Sequence, residues 1–137
     1  MVDSAFPAPI GRQQAWQQPR WDLRVPFGMI DVTIGDAVTL VEAGALLLDV
    51  RELNEWEAGH VPGAVFIPMN SVASRTDELP SDRPIVVMCR VGGRSAVVAE
   101  TLLALGLDAV NMAGGIQAWA AEQRPVVTDA GTPGTVI

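Results

Sequence analysis

Two apolar runs, Ala45-Leu-Leu-Leu-Asp-Val and Ile85-Val-Val-Met, constrain this chain more than any other feature. Each has the length of a strand and shows no polar alternation. That pattern marks a strand covered on both faces, as in a parallel sheet. The segments between such runs carry helical spacing. Asp36–Ala43 reads as a short helix stopped by Gly44, and Glu52–Ala58 as a helical turn. Arg94–Leu105 reads as a helix with Val97, Val98, Thr101, Leu102 and Leu105 on one side, and Ile116–Gln123 as a helix with Trp119 turned inward. Asp31-Val-Thr-Ile, Ala64-Val-Phe-Ile-Pro and Ala109-Val-Asn-Met supply further short strands, while 70–84 reads as a loop with one helical turn. Strands separated by helices need crossover connections. The expected class is therefore α/β, with a mostly parallel sheet flanked by helices on both faces.

The chain has 137 residues, room for one ordinary domain, and 49% apolar residues, enough to exclude wholesale disorder. We divide it into an irregular arm over 1–28, a domain over 29–124 and a loose tail over 125–137. The arm holds Trp16, Trp21 and Phe27, which are costly to expose. They are expected to pack on the domain's own surface, or else to form a homodimer contact or a lid for a partner. The net charge of −7 argues against nucleic acid as a partner. All nine basic residues are Arg, which excludes a Schiff-base or Walker lysine. One Cys and one His exclude a disulfide within the chain, a Cys-x-x-Cys redox cycle and a structural zinc site. No apolar run approaches the roughly 20 residues of a membrane span. The N-terminus lacks the basic and apolar regions of a signal peptide, so the expected location is the reducing cytoplasm.

Chemistry concentrates in Ile85-Val-Val-Met-Cys89-Arg90-Val91-Gly92-Gly93-Arg94-Ser95-Ala96, which reads as strand, tight loop, helix. Ligands of open α/β sheets bind outside the carboxyl ends of the strands, where Cys89 would lie. Gly92 and Gly93 let the loop curl and turn its N–H groups inward as an anion nest. The helix N-terminus adds its positive end, and Arg90 and Arg94 add two cations. All of these favour a thiolate, the nucleophilic form of cysteine. A lone Cys at a strand end is otherwise a small buried hydrophobe, but such a filler gains nothing from flanking cations.

With these residues in view, the sequence closely resembles the rhodanese family of sulfurtransferases. Leu47-Leu-Asp-Val-Arg-Glu-Leu-Asn-Glu-Trp-Glu-Ala-Gly-His-Val-Pro-Gly-Ala-Val-Phe-Ile-Pro68 is similar to the family's LDVR…E…GH-I-PGA-x-x-I-P signature. Cys89–Arg94 is similar to its active-site loop, and Ala113-Gly-Gly-Ile-Gln-Ala-Trp119 to its GG…W ending block. The resemblance covers about residues 30–123. It implies a five-stranded parallel sheet. It also implies that Cys89 takes a sulfane sulfur from thiosulfate or a persulfide donor, and passes it to cyanide or a thiol. No metal or other cofactor is implied. The partners are then a small anionic sulfur donor and a thiophilic acceptor. In the expected site, Arg90, Val91, Gly92, Gly93, Arg94 and Ser95 bind the donor, with Arg94 as its main contact and Arg90 at the rim.

Two readings compete: a persulfide carrier charged by a partner enzyme, and a non-catalytic binding module, a class that usually lacks the cysteine. Phosphatases and arsenate reductases of the same fold have a loop one residue longer. Here only four residues separate Cys89 from Arg94, and Ser95 stands where a phosphatase has its Arg.

Asp49, Arg51 and Glu57 are expected to steady the loops behind the sulfur as ion pairs or hydrogen-bond partners. His60, within Gly59-His-Val-Pro-Gly, is expected to play a supporting structural part, since transfer from a preformed thiolate needs no base. Trp56 and Trp119 are expected in the core or the site wall, and Arg75 and Arg83 at a positive rim or in solvent.

Overall fold

The computed structural model describes residues 30–137. Its strands are β1 (Asp31–Val32), β2 (Leu46–Asp49), β3 (Val65–Phe66), β4 (Ile85–Met88) and β5 (Ala109–Met112). Its helices are α1 (Ile34–Glu42), α2 (Leu53–Ala58), α3 (Met69–Val72), α4 (Gly93–Ala104) and α5 (Gly115–Ala121). The strands form one parallel sheet in the order β1-β5-β4-β2-β3. The strand leading to Cys89 is therefore the central one, and β4 and β5 are buried at every position.

Alternate residues of the strands feed two apolar layers, as the period of two requires. Leu47, Val86, Met88, Val110 and Met112 pack with Ile34, Ala37 and Leu40 of α1 and with Ile116 and Trp119 of α5. Leu48, Ile85, Val87, Cys89 and Ala109 pack with Val72 of α3 and with Val98, Ala99 and Leu102 of α4. Cys89 thus faces the α4 layer.

Local chemistry sets the helix starts. Thr33 caps α1 by accepting the Asp36 N–H at 3.0 Å. Glu55 Oε1 accepts the Glu52 N–H at 2.9 Å at the start of α2.

Three expectations change. The buried stripe of α4 is Ser95, Val98, Ala99 and Leu102, whereas Val97 and Leu105 are 52% and 58% exposed. Spacing alone fitted both stripes; the true one contains a serine and an alanine, which hydropathy underrates. The 70–84 connection holds both α3 and a 3-10 turn at Thr76–Glu78. Finally, residues 125–137 are not a loose tail. His60 and Val127 exchange both backbone hydrogen bonds, at 2.8 and 2.9 Å, and the Thr135 N–H reaches the Ala58 carbonyl at 2.9 Å. Val126 and Val136 pack against the α1/α5 layer. The arm read over 1–28 lies outside the described residues.

Candidate active site

Cys89 follows the last residue of β4, and the chain turns at once into α4. Gly92 makes that turn with φ at 112°, in the left-handed region that side chains resist. The turn brings three donors onto Cys89 Sγ: the Gly92 N–H at 3.1 Å, the Ser95 N–H at 3.4 Å and the Ser95 hydroxyl at 3.3 Å. Burial alone would push the thiol pKa up. The Ser95 hydroxyl and the Ser95, Gly92 and Val91 N–H groups together outweigh it, and the pKa is lowered. The site therefore favours a thiolate, the nucleophilic form of cysteine. Of the expected N–H cradle, Gly92 and Ser95 supply the hydrogen bonds to sulfur, and the Val91 N–H adds a weaker electrostatic contribution. Gly93 does not use a left-handed angle, and a Cβ built on it meets nothing within 4 Å.

α5 holds the loop from behind. Its Ile116 and Gln117 N–H groups donate to the Cys89 and Arg90 carbonyls at 2.9 and 3.0 Å. A side chain at Gly115 would stand 2.5 Å from both carbonyl oxygens, so this position tolerates no Cβ.

The two arginines differ. Arg94 makes a bidentate pair with Glu55, at 2.9 and 3.0 Å. The hydrogen bonds hold the Glu55 carboxyl below its usual value and the Arg94 guanidinium above its own. The side chain expected to meet the donor is thus charge-balanced by a carboxylate. Arg90 is exposed and gives its Nε–H to the Ile137 main-chain oxygen at 3.0 Å.

Asp49 and Arg51, both fully buried, bond to each other, and Arg51 Nη2 also reaches the Gly59 carbonyl at 2.8 Å. They tie the end of β2 to the end of α2. His60 stacks on Trp56 at 3.6 Å between ring centroids and donates from Nδ1 to the Trp56 carbonyl at 2.9 Å. Its Nε2 lies 3.4 Å from Asp129. Neither the Asp49–Arg51 pair nor His60 bonds to the sulfur loop, so their support is indirect. Glu57 is exposed and is not part of the support; Glu55, two residues away on another side of α2, takes that place. Trp119 is buried in the α1/α5 layer and Trp56 is half-buried against His60 and Phe66. Arg75 pairs with Glu78, and Arg83 donates to the Gly44 carbonyl at 3.1 Å.

Asn111, not singled out from the sequence, lies beside Ser95 and is 3% exposed. Its signal was a polar residue inside a strand otherwise buried and apolar, which must find partners.

The sequence matches the family described as Rhodanese-like domain over residues 33–122. The chain belongs to this family. A sulfurtransferase of Allochromatium vinosum is 39% identical over 87 residues, covering 63% of this chain and 81% of that protein. The putative sulfur carrier protein YrkF of Bacillus subtilis is 39% identical over 74 residues, covering 53% of this chain and 40% of YrkF. The matched stretch spans less than two thirds of the length of several of the relatives it matches. A rhodanese-related protein from Thermoplasma volcanium shares its fold, with a TM-score of 0.68 at 34% identity, over 72% of this chain and 98% of that one. Among the described residues no helix is long and apolar enough to cross a membrane.

Proposed function

We propose that this rhodanese-like domain transfers sulfane sulfur through a persulfide on Cys89. The observation that carries the reading is the ring of three donors on a cysteine sulfur at the end of the central strand. With thiosulfate, the Cys89 thiolate attacks the outer sulfur. A new S–S bond forms, the S–S bond of thiosulfate breaks, and its electron pair leaves with sulfite. Cyanide or a thiolate then attacks the outer sulfur of the persulfide, and the Cys89 thiolate leaves. No net oxidant or metal enters this balance.

The N–H groups of Val91, Gly92 and Ser95 stabilise charge on sulfur in each state. Arg90, exposed beside the loop, attracts the dianionic donor, while Arg94 shapes the entrance together with Glu55. The carrier reading uses the same residues, and the name of YrkF favours keeping it.

Intact-protein mass before and after thiosulfate, then after cyanide, tests the proposal. The expected result is a gain of one sulfur that cyanide removes and that Cys89→Ala never shows. No gain on a folded protein would overturn thiosulfate as donor. A gain only after incubation with a persulfide-bearing protein would establish the carrier reading.

A further inference from the structure

The Asn111 amide has its two N–H groups engaged, by Asp31 Oδ1 at 3.0 Å and by the Gly92 carbonyl at 3.3 Å. Both partners are acceptors only, so the amide has a single workable orientation. Its Oδ1 then faces the Ser95 hydroxyl, at 2.5 Å. That hydroxyl is 3.3 Å from Cys89 Sγ as well. One proton therefore stands between two acceptors.

Resting on the reading of Cys89 as the sulfur-carrying nucleophile, we propose that Asn111 is a positioning residue that competes with Cys89 for the Ser95 proton. When Cys89 is a thiolate, the hydroxyl turns its proton to sulfur. When Cys89 is a thiol or the inner atom of a persulfide, Sγ is a weak acceptor, and the proton turns to Asn111 Oδ1. The hydroxyl thus stays satisfied in every state. Without such an acceptor, a buried hydroxyl facing a neutral sulfur would lose a hydrogen bond. Asn111 thereby limits the share of the Ser95 proton that the thiolate receives. The Asn111 link to the Gly92 carbonyl anchors the same loop, and β5 holds the amide in place through the Asp31–Asn111 register of the sheet.

Charged groups around the sulfur are Arg94 with its partner Glu55, Asp31 behind Asn111, exposed Arg90 on the loop, and the Asp49–Arg51 pair on the adjacent strand end. All remain in the test except that Asp31 loses its Asn111 bond, and its bared carboxylate would push the titration up, against the direction expected. Asn111→Leu removes the acceptor. The Ser95 proton is then given to sulfur alone, and the thiolate titration, followed by ultraviolet absorbance, moves down, with several-fold more thiolate at a pH below the native midpoint. In Ser95→Ala the same Asn111→Leu change should produce no downward movement. A purely structural role predicts the opposite sign, because a loosened Gly92 would weaken its N–H bond to sulfur. An upward movement, no movement, or a downward movement that persists without Ser95 would overturn the proposal.

If Asn111→Leu does not fold, the wild-type protein decides. The Asn111 side-chain amide resonances should follow the Cys89 titration, and should cease to follow it in Ser95→Ala. Resonances that ignore the titration, or follow it equally without Ser95, would overturn the assignment. These measurements need no sulfur donor, so their failure is separable from failure of the transfer reaction.

Discussion

Ser95 is the residue on which the sulfur's charge most depends. It supplies two of the three hydrogen bonds to Cys89 Sγ, one from its hydroxyl and one from its N–H. Ser95→Ala removes only the hydroxyl. We expect its thiolate titration to move up and sulfur loading at neutral pH to fall by about tenfold, since a hydrogen bond to a charged group contributes roughly 1.5–3 kcal/mol. Unchanged loading would remove the hydroxyl from the mechanism. The sign for stability follows from the lowered pKa of Cys89. The folded state holds the thiolate better than the unfolded chain does. This contribution is therefore fully present above the unfolded thiol's pKa and disappears as pH falls through the folded one. Glu55 offers a second check at this scale. Glu55→Gln leaves the Arg94 charge without its balancing carboxylate, so the KM for thiosulfate should fall. Stability should drop by less than about 1 kcal/mol, as for other part-exposed pairs. A raised KM would show that the pair, rather than the free cation, serves the donor.

At the scale of elements, the site is a meeting of four pieces: the end of β4, the first turn of α4, the first turn of α5 and Asn111 of β5. Two adjacent glycines in the loop look alike in sequence and differ in the fold. Gly92→Ala places a side chain at φ 112° with its Cβ 3.3 Å from the Gly114 nitrogen, and should cost about 1–2 kcal/mol. Gly93→Ala meets open space outside that angle range, and should be neutral or stabilising by roughly 0.5 kcal/mol. Denaturant midpoints with unchanged slopes would measure both; equal losses would contradict the geometry. The pairing of α2 with α4 through Glu55 and Arg94 was hidden from the sequence because Glu55 and Glu57 share one short helix, and only the helix's rotation tells which faces the loop. The α4 stripe was misplaced for a related reason. Val97 has the greater hydropathy, yet Ser95 and Ala99 occupy the interior, where a small residue lets the helix approach the sheet and a serine meets the sulfur.

Across the whole molecule, the segment 125–137 straps the end of α2 and reaches the sulfur loop through the bond from Arg90 to Ile137. Gly59 makes this close approach feasible, since a Cβ there would lie 2.5 Å from the Thr135 carbonyl oxygen. Gly59→Ala should loosen the strap, cost about 1–3 kcal/mol and expose 125–137 to limited proteolysis. An intact strap after protease treatment would show that its other contacts suffice. The sequence by itself determined the class of fold, the order of its elements, and the place of its lone cysteine on a glycine-bearing loop between strand and helix. These follow from local facts: apolar runs, helix punctuation, and the identity of residues next to Cys89. Only the tertiary structure decided that Glu55 neutralises Arg94, that Asn111 accepts from the Ser95 hydroxyl, that His60 serves the strap, and that 125–137 is docked. Each of these joins residues far apart in the chain, and such a contact exists only once the sheet has set the distance between its elements.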